Sequence, residues 1–308
     1  VSKFRIVVTG GAGFIASHVV DTYLAAGHRV AVIDNLSTGS RRNLNPRATF
    51  YHTDICDPKK VAVIFKKERP QVVNHHAAQV SVVESVREPL LAVRTNVLGT
   101  TNLLQAFTRY GARNGKFIFA STGGAIYGNP TRIPVSETIP PHPLSPYALS
   151  KMLAEGVVRF YGEEHGLRYM ILRYSNVFGP RQDPHGEAGV VAIFIGLLRR
   201  GARPTIFGDG SKTRDYVYVG DVVRANLLAL TRGKNETVNV SRGEEVKDAR
   251  VFETIARALH SNVPVKYAPF RPGEVRRISL SPQRAKRVLG WEPKADFARG
   301  IREIVRTL

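Results

Sequence analysis

The sequence predicts an α/β fold, a doubly wound parallel sheet with helices on both faces, and three observations carry the prediction. Short apolar runs alternate with helical stretches as far as residue 174. The first run is β-branched and largely apolar, as strands buried on both faces are. Glycine or proline stands at most of the switches between the two kinds of segment.

The elements follow in order. Residues 4–9, Phe-Arg-Ile-Val-Val-Thr, end in glycines and suit a buried strand. A helix over residues 14–26 is broken by Gly27-His28, and residues 29–33 form a second strand that closes on Asp34. A strand at 48–52, a helix at 58–67, a strand at 71–74, a helix at 89–110 and a strand at 116–120 repeat the pattern. A proline-rich segment, 139–146, leads into a long helix to about residue 165 and a strand at 168–174. Beyond Asn176 glycine- and proline-rich charged loops take over (179–189, 207–214, 270–277), with two shorter helices near 252–259 and 297–307. Residues 1–174 therefore read as a first domain. Residues 175–308 read as a smaller C-terminal α/β substrate domain that closes over a ligand, part of it packing back on the first.

Composition narrows the classes. With 308 residues, 43% of them hydrophobic, the chain can bury a full core. The one cysteine, Cys56, excludes an intramolecular disulfide and a Cys-based zinc site, and it reads as a small buried side chain rather than a nucleophile. The start runs at once into Ile6-Val7-Val8 without the pattern of a signal peptide, and the apolar run at 189–198 is too short to span a bilayer. A cytoplasmic protein with no membrane partner is expected. The net charge of +20 raises the question of a nucleic-acid partner. The basic residues come as scattered pairs, such as Arg41-Arg42, Lys66-Lys67 and Arg276-Arg277, so a basic surface that attracts anionic nucleotides is expected instead.

Gly10-Gly11-Ala12-Gly13-Phe14-Ile15-Ala16 lies between the first strand and the first helix, where a dinucleotide pyrophosphate meets a helix N-terminus. Asp34, at the end of the second strand, is placed to bind both adenosine ribose hydroxyls and to repel a 2′-phosphate, which favours NAD over NADP. Tyr147 and Lys151 stand at i, i+4 behind Ser145-Pro146, an N-cap and first helical position, and so share a helix face. An ammonium beside a phenol favours the phenolate and makes it a usable base. The pair alone is weak evidence, but it opens the helix after the fifth strand, and Ser121-Thr122 stand just past that strand's end, the edge where open parallel sheets bind ligands.

Further motifs extend the pattern: His-Ala-Ala-Gln (76–79), Thr-Asn-Val-Leu-Gly-Thr (95–100), Ser-Thr-Gly-Gly-Ala-Ile-Tyr-Gly (121–128), Leu-Arg-Tyr-Ser-Asn-Val-Phe-Gly-Pro-Arg (172–181), Gly-Asp-Gly-Ser-Lys-Thr-Arg-Asp-Tyr-Val-Tyr-Val (208–219) and Arg-Pro-Gly-Glu (271–274). With the glycine turn and Ser-Pro-Tyr-Ala-Leu-Ser-Lys they resemble, over nearly the whole chain and in order, the UDP-glucose 4-epimerases (UDP-galactose 4-epimerases) of the extended short-chain dehydrogenase/reductase superfamily. The resemblance implies a Rossmann-type NAD-binding domain and a nucleotide-sugar domain. It also implies an enzyme that oxidises C4 of a UDP-hexose transiently and returns hydride to the other face.

Residue by residue, it implies Tyr147 as acid/base, Lys151 holding the nicotinamide ribose and lowering the tyrosine's pKa, and Thr122 bonding the reacting hydroxyl. Gly10, Gly13, Phe14, Ile15, Asp34, Asn35, Ser37, Thr38 and Gly39 fall to the cofactor. So do Asp54 and Ile55 beside the adenine, Ala77, Ala78 and Gln79 along its length, Asn96, Ser121 and Tyr174. Ser121 reads as a loop support as well, and Asn96 equally as a bridge between elements. Asn176, Arg181, Val190, Arg214, Arg271 and Glu274 fall to the UDP-sugar. His75-His76 reads as a strand end beside NAD, since no carboxylate or cysteine stands at ligand spacing.

Related dehydratases carry an Asp-Glu pair after the threonine and decarboxylating relatives a Glu; here Gly123, Gly124 and Ala125 stand there. Return of hydride is then the simpler outcome. A UDP-N-acetylhexosamine or UDP-uronate epimerase, or a nucleotide-sugar reductase, is the alternative. Ala16 replaces the usual third glycine, Gly220 stands where relatives often have an acid, and Ile278 lies close to where relatives set the size of the sugar pocket. A homodimer through the helices at 89–110 and 147–165 is implied. No metal is expected, and an NAD-sensing, non-catalytic role is disfavoured by the tyrosine-lysine pair.

Overall fold

A computed structural model describes residues 3–184, 189–270 and 275–308. Strand β1 (Arg5–Thr9) buries Ile6, Val7 and Val8, and Gly10 leaves it at φ +71°, a turn that L side chains resist. Then come α1 (Phe14–Ala25), β2 (Arg29–Asp34), β3 (Thr49–His52), α2 (Pro58–Glu68) and β4 (Val72–His75). Asp57 caps α2 by accepting from the amides of Lys59 and Lys60, and Pro58 fills its first position. Next are α3 (Val82–Arg87), α4 (Pro89–Val93), α5 (Gly99–Tyr110), β5 (Lys116–Thr122), α6 (Gly123–Ile126), α7 (Pro146–His165) and β6 (Arg168–Tyr174).

Two local expectations change here. The single helix expected over 89–110 contains one π turn, Arg94–Leu98, between α4 and α5. That wider turn carries buried Asn96, whose amide meets Gln79 and Ser150, so side-chain bonding competes with the regular ladder. Ser121 and Thr122 are the last residues of β5 rather than its sequel, because both pair with β6, Ser121 opposite Arg173 and Thr122 opposite Tyr174.

The rest of the chain holds β7 (Asn176–Phe178), α8 (Val190–Arg199), β8 (Thr205–Phe207), β9 (Thr213–Arg214), β10 (Tyr216–Tyr218), α9 (Val219–Ala229), β11 (Glu236–Val240), β12 (Val246–Lys247), α10 (Asp248–Ala258), β13 (Lys266–Ala268), α11 (Gln283–Leu289) and α12 (Phe297–Val305). This half has more regular structure than the sequence reading allowed. α8 lies in an almost continuously apolar run, where length and composition do not separate a helix from a buried strand.

Seven strands form one parallel sheet in the order β11-β6-β5-β4-β1-β2-β3. On one face Val19, Val20 and Tyr23 of α1 pack with Val222 and Ala225 of α9 and with Trp291. On the other, Phe65 of α2, Leu103 and Phe107 of α5 and Val158 of α7 pack together. A separate cluster joins Phe178 and Tyr216 to Phe194, Ile255, Phe297 and Ile301, on α8, α10 and α12. The strand order reverses between β1 and β4, which opens a crevice at their C-terminal ends. Among the described residues no helix is long and apolar enough to cross a membrane.

Candidate active site

The crevice floor is backbone. A Cβ on Gly10 would stand 2.7 Å from the amide nitrogen of Ala77, and one on Gly11 2.7 Å from a methyl of Val32, so both positions require glycine for close approach. α1 starts at Gly13 with no side-chain cap and no acid in its first turn. The amides at its N-terminus and the positive end of its dipole are therefore left for an anion. Asp34 is buried; Oδ2 accepts from the Ala12 amide (2.9 Å) and Oδ1 from that of Leu36 (2.7 Å), which leaves lone pairs on both oxygens. Asn35, Ser37 and Thr38 are exposed on the loop after it. Gly39 packs so closely that its Cβ would lie 3.1 Å from Asp34 Oδ1.

Around the rim, the Asp54 carboxylate accepts from the Cys56 amide, and Ile55 packs beneath Gly99. Burial pushes the Cys56 thiol up to about 11, which leaves it a poor nucleophile. His75 is locked between Thr9 (2.7 Å) and Thr100 (2.9 Å), and the Ala77 amide also reaches Thr9. Among the described residues no group of three or more His, Cys, Asp or Glu side chains could hold a metal. Buried His76 Nδ1, Gln79 Oε1 and Asn176 Oδ1 have no hydrogen-bond partner, so each is free for a polar ligand. An uncapped helix, a buried carboxylate with spare lone pairs and orphaned polar atoms in one crevice fit a dinucleotide such as NAD.

The chemical groups stand at the edge of that crevice. Ser145 Oγ caps α7 through the Ala148 amide, and Pro146 opens it, as the sequence implied. Tyr147 and Lys151 project from one face of the helix. The Tyr147 phenol hydrogen-bonds the Thr122 side chain; burial pushes its pKa up and that bond pulls it down. The Lys151 Nζ lies 4.3 Å from the centroid of the Phe119 ring. Burial lowers the Lys151 pKa to about 7, and the Glu155 charge opposes the shift.

Tyr174 stacks on His76, and its hydroxyl, which bonds His76 and Asn226, sits in a network that also includes Asn74 and Tyr23. Asn96 bridges Gln79 and Ser150. Ser121 donates to Glu155 (2.6 Å). Asn176 faces Gly124, whose Cβ would lie 3.3 Å from its Oδ1, and a Cβ on Gly123 would overlap Leu280.

The remaining substrate expectations divide. Arg214 is half-buried on β9 and donates to its neighbour's carbonyl, while Val190 heads α8. Arg181, at φ +67°, is turned onto α1, where it pairs with Asp21 at 2.7 Å. Arg271 and Glu274 lie outside the described residues. Ile278 is buried with Ile126, Tyr127, Val135 and Leu280. The sequence reading missed Glu155 and Arg173, though both left signals. Glu155 continues the stripe 147, 151, and Arg173 is a charge inside an apolar strand.

Comparison with known proteins agrees with the geometry. Residues 6–241 match the model of the NAD dependent epimerase/dehydratase family. The UDP-glucose 4-epimerase of Thermotoga maritima, solved with UDP-glucose, is 48% identical, with a TM-score of 0.95 over 98% of this chain and 97% of that one. That of Thermus thermophilus, solved with NAD, is 46% identical, with a TM-score of 0.93 over 98% and 97%. The UDP-glucose 4-epimerase of Mycolicibacterium smegmatis is 41% identical over 98% of this chain and 97% of its own.

Proposed function

The chain belongs to the NAD dependent epimerase/dehydratase family, and from that premise we propose that it interconverts the C4 epimers of a UDP-hexose, UDP-glucose and UDP-galactose. A bound NAD would supply a reversible hydride acceptor for the sugar's C4. The α1 amides behind Gly10 and Gly13 hold the pyrophosphate, and Asp34 holds the adenosine ribose. Tyr147 removes the proton from the C4 hydroxyl and returns it, while Thr122 orients both oxygens and Lys151 binds the nicotinamide ribose. Asn176, Arg214, Val190, Arg271 and Glu274 hold the UDP-sugar, and Arg181 joins them by leaving Asp21. Residues 175–308 form the substrate-closing unit in this reading.

One observation carries the choice of epimerisation. At Gly123 a side chain would collide with Leu280, and at Gly124 it would press on Asn176. With Gly123, Gly124 and Ala125 after Thr122, no second acid/base carboxylate follows it in that loop. Incubation with UDP-glucose, UDP-galactose and their N-acetyl forms tests the function. The expected result is a mixture of C4 epimers with no rise in NADH absorbance. A steady rise would instead make the protein a reductase.

A homodimer in the cytoplasm completes the reading. Val86, Leu90, Leu98 and Phe160 are 64, 79, 56 and 55% exposed on α3, α4, the π turn and α7, more apolar surface than a monomer favours. Leu90→Asp should shift sedimentation from a dimer to a monomer; a monomeric native protein removes the proposal.

A further inference from the structure

Behind Thr122 lies a buried charge cluster that the mechanism above does not use. Glu155, fully buried one turn past Lys151, accepts from Ser121 Oγ (2.6 Å) and Arg173 Nε (2.8 Å) on one oxygen. Its other oxygen accepts from Arg173 and from Arg159, each at 2.6 Å. Arg173 also donates to the Tyr127 hydroxyl, which donates to Asn239. Ser121 precedes Thr122 on β5, and Arg173 precedes Tyr174 on β6, directly opposite. One carboxylate on α7 thus grips both strands whose next residues enter the site.

We propose that Glu155 is a positioning residue, which locks the end of β5 to α7 so that Thr122 meets Tyr147, and which faces Lys151 with a fixed counter-charge. This rests on the function proposed above. Glu155 faces Lys151 from α7, and the Lys151 charge reaches His75, the last residue of β4, and His76 just after it. α3 and the π turn bring the uncharged Ser85 and Asn96 to this helix. Both histidines are kept neutral by burial, and Arg173 is engaged by Glu155. Burial alone drives Lys151 toward neutrality, and Glu155 is the charge that resists it. Burial disfavours the carboxylate, but the hydrogen bonds and charge of Arg173 outweigh that and keep it ionised.

The test compares the holoenzyme with Glu155→Gln, Glu155→Asp and Ser121→Ala. Steady-state kinetics with UDP-galactose read the positioning. Carbon-13 NMR of lysine Cε, with Lys151 identified by its loss in Lys151→Arg, reads the charge without turnover. Glu155→Asp and Ser121→Ala should each lower kcat by about tenfold or more, with KM within about threefold. Glu155→Gln should lower the Lys151 midpoint by about one unit, and Glu155→Asp should leave it in place. Native kcat in both Glu155→Asp and Ser121→Ala overturns the positioning, and an unmoved midpoint in Glu155→Gln overturns the counter-charge. If Glu155→Gln fails to fold, the other two variants decide. A wild type without turnover refutes the proposed function, yet the lysine titration still reads the counter-charge.

Discussion

At the scale of single residues, the site turns on how burial and hydrogen bonding oppose each other at Tyr147. A buried phenol resists ionisation, and Thr122 supplies the bond that favours the phenolate. Removing the hydroxyl deletes the proposed base while leaving the ring to fill its place. Tyr147→Phe is expected to keep NAD bound and to lower kcat by about 10²–10⁴-fold, the usual worth of a general acid/base. Retention of native turnover, measured by product analysis, would remove Tyr147 from that role. Tyr147 and Lys151 were legible in the sequence because a helix fixes which residues share its face. Thr122 was named through the resemblance, but its hydrogen bond to Tyr147 was not legible, since it comes from a strand and not from the same helix.

At the scale of elements, the turn from β1 into α1 shows why a short glycine pattern carries so much. Gly10 needs a left-handed φ, and it lies against the backbone of Ala77, at the end of a neighbouring strand. Gly10→Ala meets both obstacles. It should lower stability by about 1–3 kcal/mol and weaken NAD retention at least about tenfold. Thermal denaturation and the bound-nucleotide content of the purified protein are the checks, and native values for both would show that the turn tolerates a side chain. The sequence alone revealed the glycines and their place between strand and helix. It could not reveal that Gly10 faces Ala77, because that contact needs β1 and β4 to be neighbours. The π turn at Arg94–Leu98 was hidden for a similar reason: Asn96 bonds to Ser150 on α7, far along the chain.

At the scale of the whole molecule, buried neutral histidines tie stability to pH. Burial holds His75 well below its ordinary 6.5, and His76 is pushed down to about 3. Because the unfolded chain binds these protons first, their contribution is complete above pH 6.5 and is lost as pH falls toward the folded values. The urea midpoint should therefore drop between about pH 7 and about pH 5, and the drop should be shallower in His75→Gln. An equal drop in that variant would assign the acid lability to other groups.

The sequence by itself determined the order of the strands and the longer helices through residue 174, the glycine turn with its acid at Asp34, and the spacing of Tyr147 and Lys151; the short helices α3 and α6 were not read from it. Those features are written in neighbours a few residues apart, where backbone geometry alone sets their relation. The tertiary structure decided that β11 joins the main sheet beside β6, that Arg181 rests on Asp21, and that Glu155 gathers Ser121, Arg159 and Arg173. Each depends on side chains from distant segments meeting in space, and burial then fixes how strongly their charges and hydrogen bonds act.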